Sequence, residues 1–196
     1  MRRAAWVLTL VLVALVAGAC GDEDGDNDKP GVVRGTGYQY ELPEGWADES
    51  DSDASELDLG GFRPDTIAAD EPKAGFPPNV NVILEPSLST DVTPRVYANA
   101  SHQILRNPSV LRGEARRAIE RLDPRDFGSE RRLDLDGREA YQIDYTGNQG
   151  GRVLRFRGVT TVKDKTGYAV SYTALRTHFD EGLDDFEQIL DSWRWR

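Results

Sequence analysis

From Tyr38 the chain alternates: Tyr38, Tyr40 and Leu42 are aromatic or apolar, while Gln39 and Glu41 are polar. A period of two sends successive side chains to opposite faces, so this stretch predicts a half-buried strand, stopped by Pro43-Glu44-Gly45. Val80, Val82 and Leu84 repeat the spacing and predict a second strand. Between the two, Asp48 to Asp58 carries six acids, and Gly60-Gly61, Pro64, Pro72 and Gly75-Phe76-Pro77-Pro78 interrupt any long element. That segment predicts a long loop, with one short strand at most, near Leu57 to Phe62.

The period then changes. Thr93-Pro94 has the form of an N-cap followed by proline in a first turn, and Tyr97, Ala100 and Ile104 recur at helical spacing before Asn107-Pro108. Ala115, Ile119 and Leu122 predict a second, shorter helix. From Arg131 the pattern becomes a meander. Leu133 and Leu135 lead to Asp136-Gly137, a two-residue hairpin signal, after which Tyr141, Ile143 and Tyr145 alternate with polar residues. Gly147 to Gly151 predicts the next turn, Leu154, Phe156, Thr160 and Val162 a third meander strand, Asp164 to Gly167 another turn, and Tyr168, Val170, Tyr172 and Ala174 a fourth strand. Each strand has one apolar face, which predicts an antiparallel sheet with one side on a core and the other wetter. Phe179, Leu183, Phe186, Leu190 and Trp193 step by four and three, the stripe of a helix beginning near Thr177 and packing on that sheet. Trp195 stands two residues further, in a short terminal strand, and both tryptophans read as core. The fold class is α+β, an antiparallel sheet of about five or six strands flanked by helices.

Composition agrees with a packed domain: 38% of residues are hydrophobic and 30% charged, too apolar for disorder. Residues 36–196 are enough for one core and are read as one domain. The formal net charge of −10 argues against a nucleic-acid partner, since phosphate binding needs a basic surface. Arginines are dense between Arg112 and Glu139, but acids match them one for one, the mark of a solvated face of ion pairs.

The single cysteine, Cys20, has no partner for an internal disulfide, and its position decides its reading. Arg2-Arg3 is followed by an apolar stretch from Ala4 to Ala17 broken only by Thr9, the pattern of a secretory signal and short for a spanning helix. Ala17-Gly18-Ala19 leads directly into Cys20, which resembles a bacterial lipobox with Ala17 where leucine is preferred. That resemblance implies a signal peptide over 1–19, removed before Cys20, and a lipidated Cys20 that holds the protein to the extracytoplasmic face of the bacterial cell membrane. Asp22, Asp24, Asp26 and Asp28 alternate like a calcium loop, but Asn27 and Val33 stand where an EF-hand needs glycine and glutamate. Residues 20–35 therefore read as an acidic, hydrated tether, with the folded domain over 36–196.

Candidate chemistry is sparse. Nucleophilic catalysis needs a base beside Ser or Cys, and the only histidines are His102 and His178, expected at helical surface or cap positions. No serine sits in a Gly-x-Ser-x-Gly elbow, and two histidines without a cysteine partner make no zinc set. Asp184-Asp185 and Asp51 with Asp53 are carboxylate pairs of the sort an acid-rich chain produces by chance. The loop from Asp48 to Asp58 reads as solvated rather than as a calcium site. The expectation is a protein that is not an enzyme, with no catalytic, cofactor-binding or metal-ligating residues.

One resemblance covers about 37–196. The opening Tyr-Gln-Tyr-Glu-Leu-Pro-Glu-Gly-Trp, the Asn79-Val80-Asn81-Val82 strand before a helix, the meander, and the closing Phe186-Glu187-Gln188-Ile189-Leu190-Asp191-Ser192-Trp193 are similar to the PsbP-like superfamily, which includes actinobacterial LpqN-type envelope lipoproteins. The resemblance implies a PsbP-like sandwich with a role in binding or assembly, and supplies no catalytic residue. Together with the lipobox, the expectation is a monomer tied to the membrane through Cys20 and partnered by another envelope protein. The alternative is a carrier of a small apolar molecule or lipid, whose pocket between sheet and helix would be lined by Tyr141, Tyr145, Phe156 and Tyr172.

Overall fold

The computed structural model describes residues 31–51 and 63–196. Its centre is a seven-stranded antiparallel sheet in the order β3-β4-β5-β9-β8-β7-β6. The strands are β3 (Ala47–Asp48), β4 (Thr66–Ala69), β5 (Asn79–Glu85), β6 (Arg131–Leu135), β7 (Arg138–Gln149), β8 (Arg152–Lys163) and β9 (Thr166–Leu175). A smaller sheet pairs β1 (Val32–Gly35), β2 (Tyr38–Glu41) and β10 (Arg194–Trp195), all antiparallel. The helices are α1 (Pro94–Arg106), α2 (Gly113–Leu122) and α3 (Leu183–Ser192), the last preceded by a 3-10 turn at Phe179–Gly182.

The meander is built by tight turns of one kind. Asp136-Gly137, Gly150-Gly151 and Asp164-Lys165 each have positive φ at both central positions, the handedness that matches the twist of flanking strands. Two of these turns are shorter than the glycine clusters suggest. Gly147 and Gly167 belong to β7 and β9, not to turns. Each is a bare patch on which a helix side chain rests: a Cβ at Gly147 would meet Leu122 of α2 at 2.7 Å, and one at Gly167 would meet the Tyr97 ring of α1 at 2.3 Å. Helix docking, not chain reversal, requires glycine there.

Both faces of the large sheet are covered, which corrects the expectation of one wet side. On one face α1 and α2 pack Tyr97, Ile104, Leu105, Ile119 and Leu122 against Ile143, Tyr145, Leu154 and Phe156. On the other, the small sheet and α3 pack Tyr38, Tyr40, Phe186, Ile189 and Trp193 against Val80, Val82, Val159, Val170 and Tyr172. Of the stripe predicted on the last helix, Phe179, Phe186 and Trp193 are buried while Leu183 and Leu190 are half-buried and Ile189 is buried instead; the first turn at Phe179 is 3-10 and α3 proper begins at Leu183. Thr93 caps α1, its hydroxyl accepting from the Val96 N–H at 3.3 Å, with Pro94 in the first turn.

Strands beyond the predicted set are short. β1 lies inside the stretch read as tether, so the folded part begins no later than Val32, paired to β2 along its length. β4 lies in the stretch read as loop. Its four residues are all buried and show no alternation to read. The strand expected near Leu57 to Phe62 falls outside the described residues. The dense arginines pair as charge matching suggests: Arg116 with Glu120, Arg117 with Glu114, Arg125 with Asp123 and Arg132 with Glu139, all at the surface.

Phe186 has no exposed surface, and Tyr172 stacks on it at 5.5 Å between centroids. Phe186→Ala should cost about 3 to 5 kcal/mol through lost burial and a cavity, read as a shift in urea midpoint with the denaturant slope unchanged. A midpoint that stays in place would show that α3 does not seat on the sheet through this ring.

Candidate functional site

The cover over the large sheet stops short at one corner. On the α3 face, β7 presents Gln142, Asp144 and Thr146, and β8 presents Arg155 and Arg157, at the margin of α3. Asp144 lies directly opposite Arg157 in register. The Arg157 guanidinium donates to both Asp144 oxygens, Nε to Oδ1 and Nη2 to Oδ2, each at 2.9 Å. Such a fork fixes both groups in plane, and this carboxylate raises the Arg157 pKa further above its ordinary value. Arg155 places its guanidinium 4.4 Å from the centre of the Phe179 ring and bonds Asp180 at 3.0 Å.

Around this floor stand three walls. Glu187 comes from α3, and Arg131 donates to Gln142 Oε1 at 2.9 Å from β6. The segment before β6 supplies Asp126, which accepts from Thr146 at 2.9 Å, and Gly128, whose N–H donates to the Asp144 carbonyl at 2.9 Å. The result is a groove of about 550 Å³. It holds fixed charges of both signs, and that arrangement suits recognition of a polar surface.

The residues singled out in the sequence are scattered. Cys20 and Asp53 fall outside the described residues, as does most of the acidic loop. Asp51 is exposed, Asp184 is exposed, and Asp185 accepts from the Trp46 indole at 3.2 Å. His178 precedes the 3-10 turn, half-buried, its Nδ1 2.9 Å from the Thr177 hydroxyl. His102 is not a surface histidine: it is 3% exposed, with Nδ1 3.1 Å from Glu130 Oε2 and, among the described residues, no partner for Nε2. Taking Tyr97, Ala100 and Ile104 as the stripe hid this: Ala100 is half-buried, and the buried face of α1 runs through Ala98, His102 and Leu105, four and three residues apart, with Arg95 and Arg106 exposed beside it, on Glu130 and Phe127. Among the described residues no three His, Asp or Glu side chains group for a metal, and no helix is long and apolar enough to cross a membrane.

The aromatics assigned to a carrier pocket do not share one. Tyr145 and Phe156 stack at 4.8 Å on the α1 face, Tyr141 lies under Arg95, and Tyr172 packs on Phe179 and Phe186 on the opposite face. Tyr145 and Phe156 belong to one core and Tyr172 to the other. The groove itself escaped the sequence because Asp144, Arg155 and Arg157 sit at polar positions of ordinary alternating strands.

No family model and no curated protein sequence matches the chain. Solved structures do. A cyanobacterial PsbP (CyanoP) from Synechocystis sp. PCC 6803 superposes with a TM-score of 0.60 at 16% identity, covering 91% of this chain and 98% of that one. LpqN of Mycobacterium tuberculosis, involved in cell envelope biogenesis, gives 0.57 at 15%, covering 86% of each chain. The fold is PsbP-like. A protein of unknown function from Pseudomonas aeruginosa, PA94, a putative regulator in its own description, matches at 0.50 and 14% identity over 86% of this chain and 98% of its own. At such identities the PsbP-like likeness speaks for architecture alone, and the groove has to be argued from its own residues.

Half-buried Glu85 and buried His102 make the stability of the PsbP-like domain depend on pH. Burial raises the Glu85 carboxyl from 4.5 to about 7. The folded state then keeps a proton that the unfolded chain releases, so this stability is complete below 4.5 and fades as pH rises through about 7. His102 acts in the opposite sense. Burial, outweighing Glu130, lowers it below 6.5, so its contribution is present above 6.5 and lost as pH falls through the folded value. Urea midpoints measured between about pH 4 and 8 should fall less on the alkaline side in Glu85→Gln than in the parent chain. Identical alkaline limbs would contradict this placement of Glu85.

Proposed function

We propose that this protein is a non-enzymatic binding and assembly protein of the bacterial cell envelope, held at the extracytoplasmic membrane face through lipid on Cys20. Another envelope protein docks in the groove over Asp144, Arg155 and Arg157. The observation that carries the reading is the groove floor. Its charges are locked by the Arg157–Asp144 fork and the Arg155–Phe179 stack before any partner arrives, which reduces the ordering cost of association. The likeness in fold to LpqN, itself involved in cell envelope biogenesis, supports the compartment. The apolar run ending at Ala17-Gly18-Ala19-Cys20 supports the anchor. At least two acyl chains on Cys20 would hold the protein, since each buried methylene contributes about 0.8 kcal/mol and a single chain binds only reversibly.

Two experiments separate anchor from interface. In cells fed a clickable fatty acid, the parent chain should take up label and Cys20→Ala should not. Label persisting in Cys20→Ala, or never entering the parent, would remove Cys20 as the anchor. For the interface, a photo-crosslinking residue at Thr146 should trap one discrete envelope protein. Combining it with Arg131→Glu and Arg155→Glu should weaken that product about tenfold at a temperature where melting curves show parent and variant both fully folded. An undiminished product would place the partner elsewhere.

A further inference from the structure

The large sheet ends at β6, and among the described residues no strand pairs with its outer side. The neighbouring segment tells which backbone groups face that side. Arg125 and Thr146 exchange both of their backbone hydrogen bonds, and the Gly128 N–H donates to the Asp144 carbonyl. The even-numbered residues of β7 therefore turn their N–H and C=O toward β6, so Gln142, Ala140 and Arg138 bond Arg131, Leu133 and Leu135 across the ladder. Arg132 and Asp134 turn theirs outward, to the open side.

The side chains of this edge match their own reverse. β6 reads Arg131-Arg132-Leu133-Asp134-Leu135, with Arg132 and Asp134 exposed and Leu133 half-buried. Edge strands usually carry charge that discourages pairing, but an antiparallel pair of two such edges centred on Leu133 sets Arg132 of each copy opposite Asp134 of the other. A register moved by two residues, the smallest step that keeps the outward backbone groups facing each other, sets Arg132 against Arg132 or Asp134 against Asp134. Opposite charges across a strand pair stabilise and like charges destabilise, so one register is selected. Arg132 bonds Glu139 through Nε at 2.8 Å, and Asp134 Oδ1 accepts from the Gly137 N–H at 2.7 Å. These bonds orient both side chains and leave the Arg132 Nη groups and Asp134 Oδ2 for a second copy. Just beyond the five residues Glu130 would meet Asp136, but each is held within its own chain, by Arg95 and His102 and by the Trp195 N–H.

We propose that β6 pairs antiparallel with β6 of a second copy of this chain, joining two seven-stranded sheets into one through a two-fold dimer. The surface is self-complementary, as a two-fold contact requires. The axis runs perpendicular to the sheet, so both small sheets, each entered through β1 from the Cys20 side of the chain, lie on the same side of it. Two anchors at Cys20 then reach one membrane, the one point at which the dimer leans on the proposed anchor. The pairing is independent of the groove and its partner, and it makes a dimer where the sequence reading expects a monomer.

Disulfide trapping in membranes of cells expressing the full chain tests it. Leu133 would lie on the axis in a non-hydrogen-bonded pair, its two Cα atoms about 4.5 Å apart, within the span of a disulfide. After mild oxidation Leu133→Cys should give a covalent dimer on a non-reducing gel, and the parent, whose single cysteine is Cys20, should not. Adding Arg132→Asp or Asp134→Arg to Leu133→Cys should lower the yield about tenfold. Expressing those two charge variants together should restore it, because each supplies the charges that the other needs. Arg132→Cys and Asp134→Cys, both at exposed positions, should crosslink with each other and neither with itself. The dimer is overturned if charge reversal leaves the yield unchanged, or if Arg132→Cys alone crosslinks as well as Leu133→Cys. It is overturned equally if neither Leu133→Cys nor the mixture of Arg132→Cys and Asp134→Cys gives a covalent dimer.

Discussion

Trp193 is the side chain on which one whole layer of this molecule depends. Its ring stacks on Tyr38 at 4.3 Å and on Tyr40 at 5.9 Å, nearly parallel to both, and it has no exposed surface. Those tyrosines belong to β2, and Trp193 follows α3 directly, so one stack joins residues far apart in sequence. The surrounding contacts lock it. The Tyr38 and Thr66 hydroxyls share a hydrogen bond at 2.8 Å, tying β2 to β4. Trp195 donates its indole N–H to the Leu135 carbonyl at 2.9 Å and its backbone N–H to Asp136 at 2.8 Å, tying β10 to the first hairpin turn. Aromatic pairs of this kind contribute about 0.5 to 1.5 kcal/mol each beyond their burial.

The clamp reaches the groove through α3. With Trp193 seated, the helix is fixed at its C-terminal end and the 3-10 turn at its start, so Phe179 lies beneath Arg155 and Glu187 stands 3.9 Å from Arg157. The groove is the corner of the sheet that this layer leaves uncovered. The α1–α2 layer is a separate packing problem, solved by Tyr97 on Gly167 and Leu122 on Gly147. A PsbP-like sandwich can therefore vary what it displays on one face without disturbing the other.

The sequence made some of this legible and left other parts unreadable, for reasons that particular residues show. Thr93-Pro94, the last-helix stripe and the Asp136-Gly137 hairpin could be read because each is a local rule with a short range. Gly147 and Gly167 were misleading because a glycine that reverses the chain and one that admits a neighbouring ring look alike in one dimension. β4 was hidden because a four-residue strand buried on both faces has no period. The groove was hidden for a different reason: Asp144 and Arg157 are thirteen residues apart, and only the register between β7 and β8 makes them a pair. His102 is a different lesson: it lies at helical spacing with Ala98 and Leu105 on the buried face of α1, and only its polar character made it read as surface.

Hydrogen–deuterium exchange on the full chain carrying Trp193→Leu tests the central dependence most directly. If Trp193 holds the small sheet and α3 as one layer, amides of β1, β2, β10 and α3 should lose protection together, while those of α1, α2 and the β7–β8 hairpin keep theirs. Uniform loss across both layers, or unchanged protection in β2 and α3, would contradict the account.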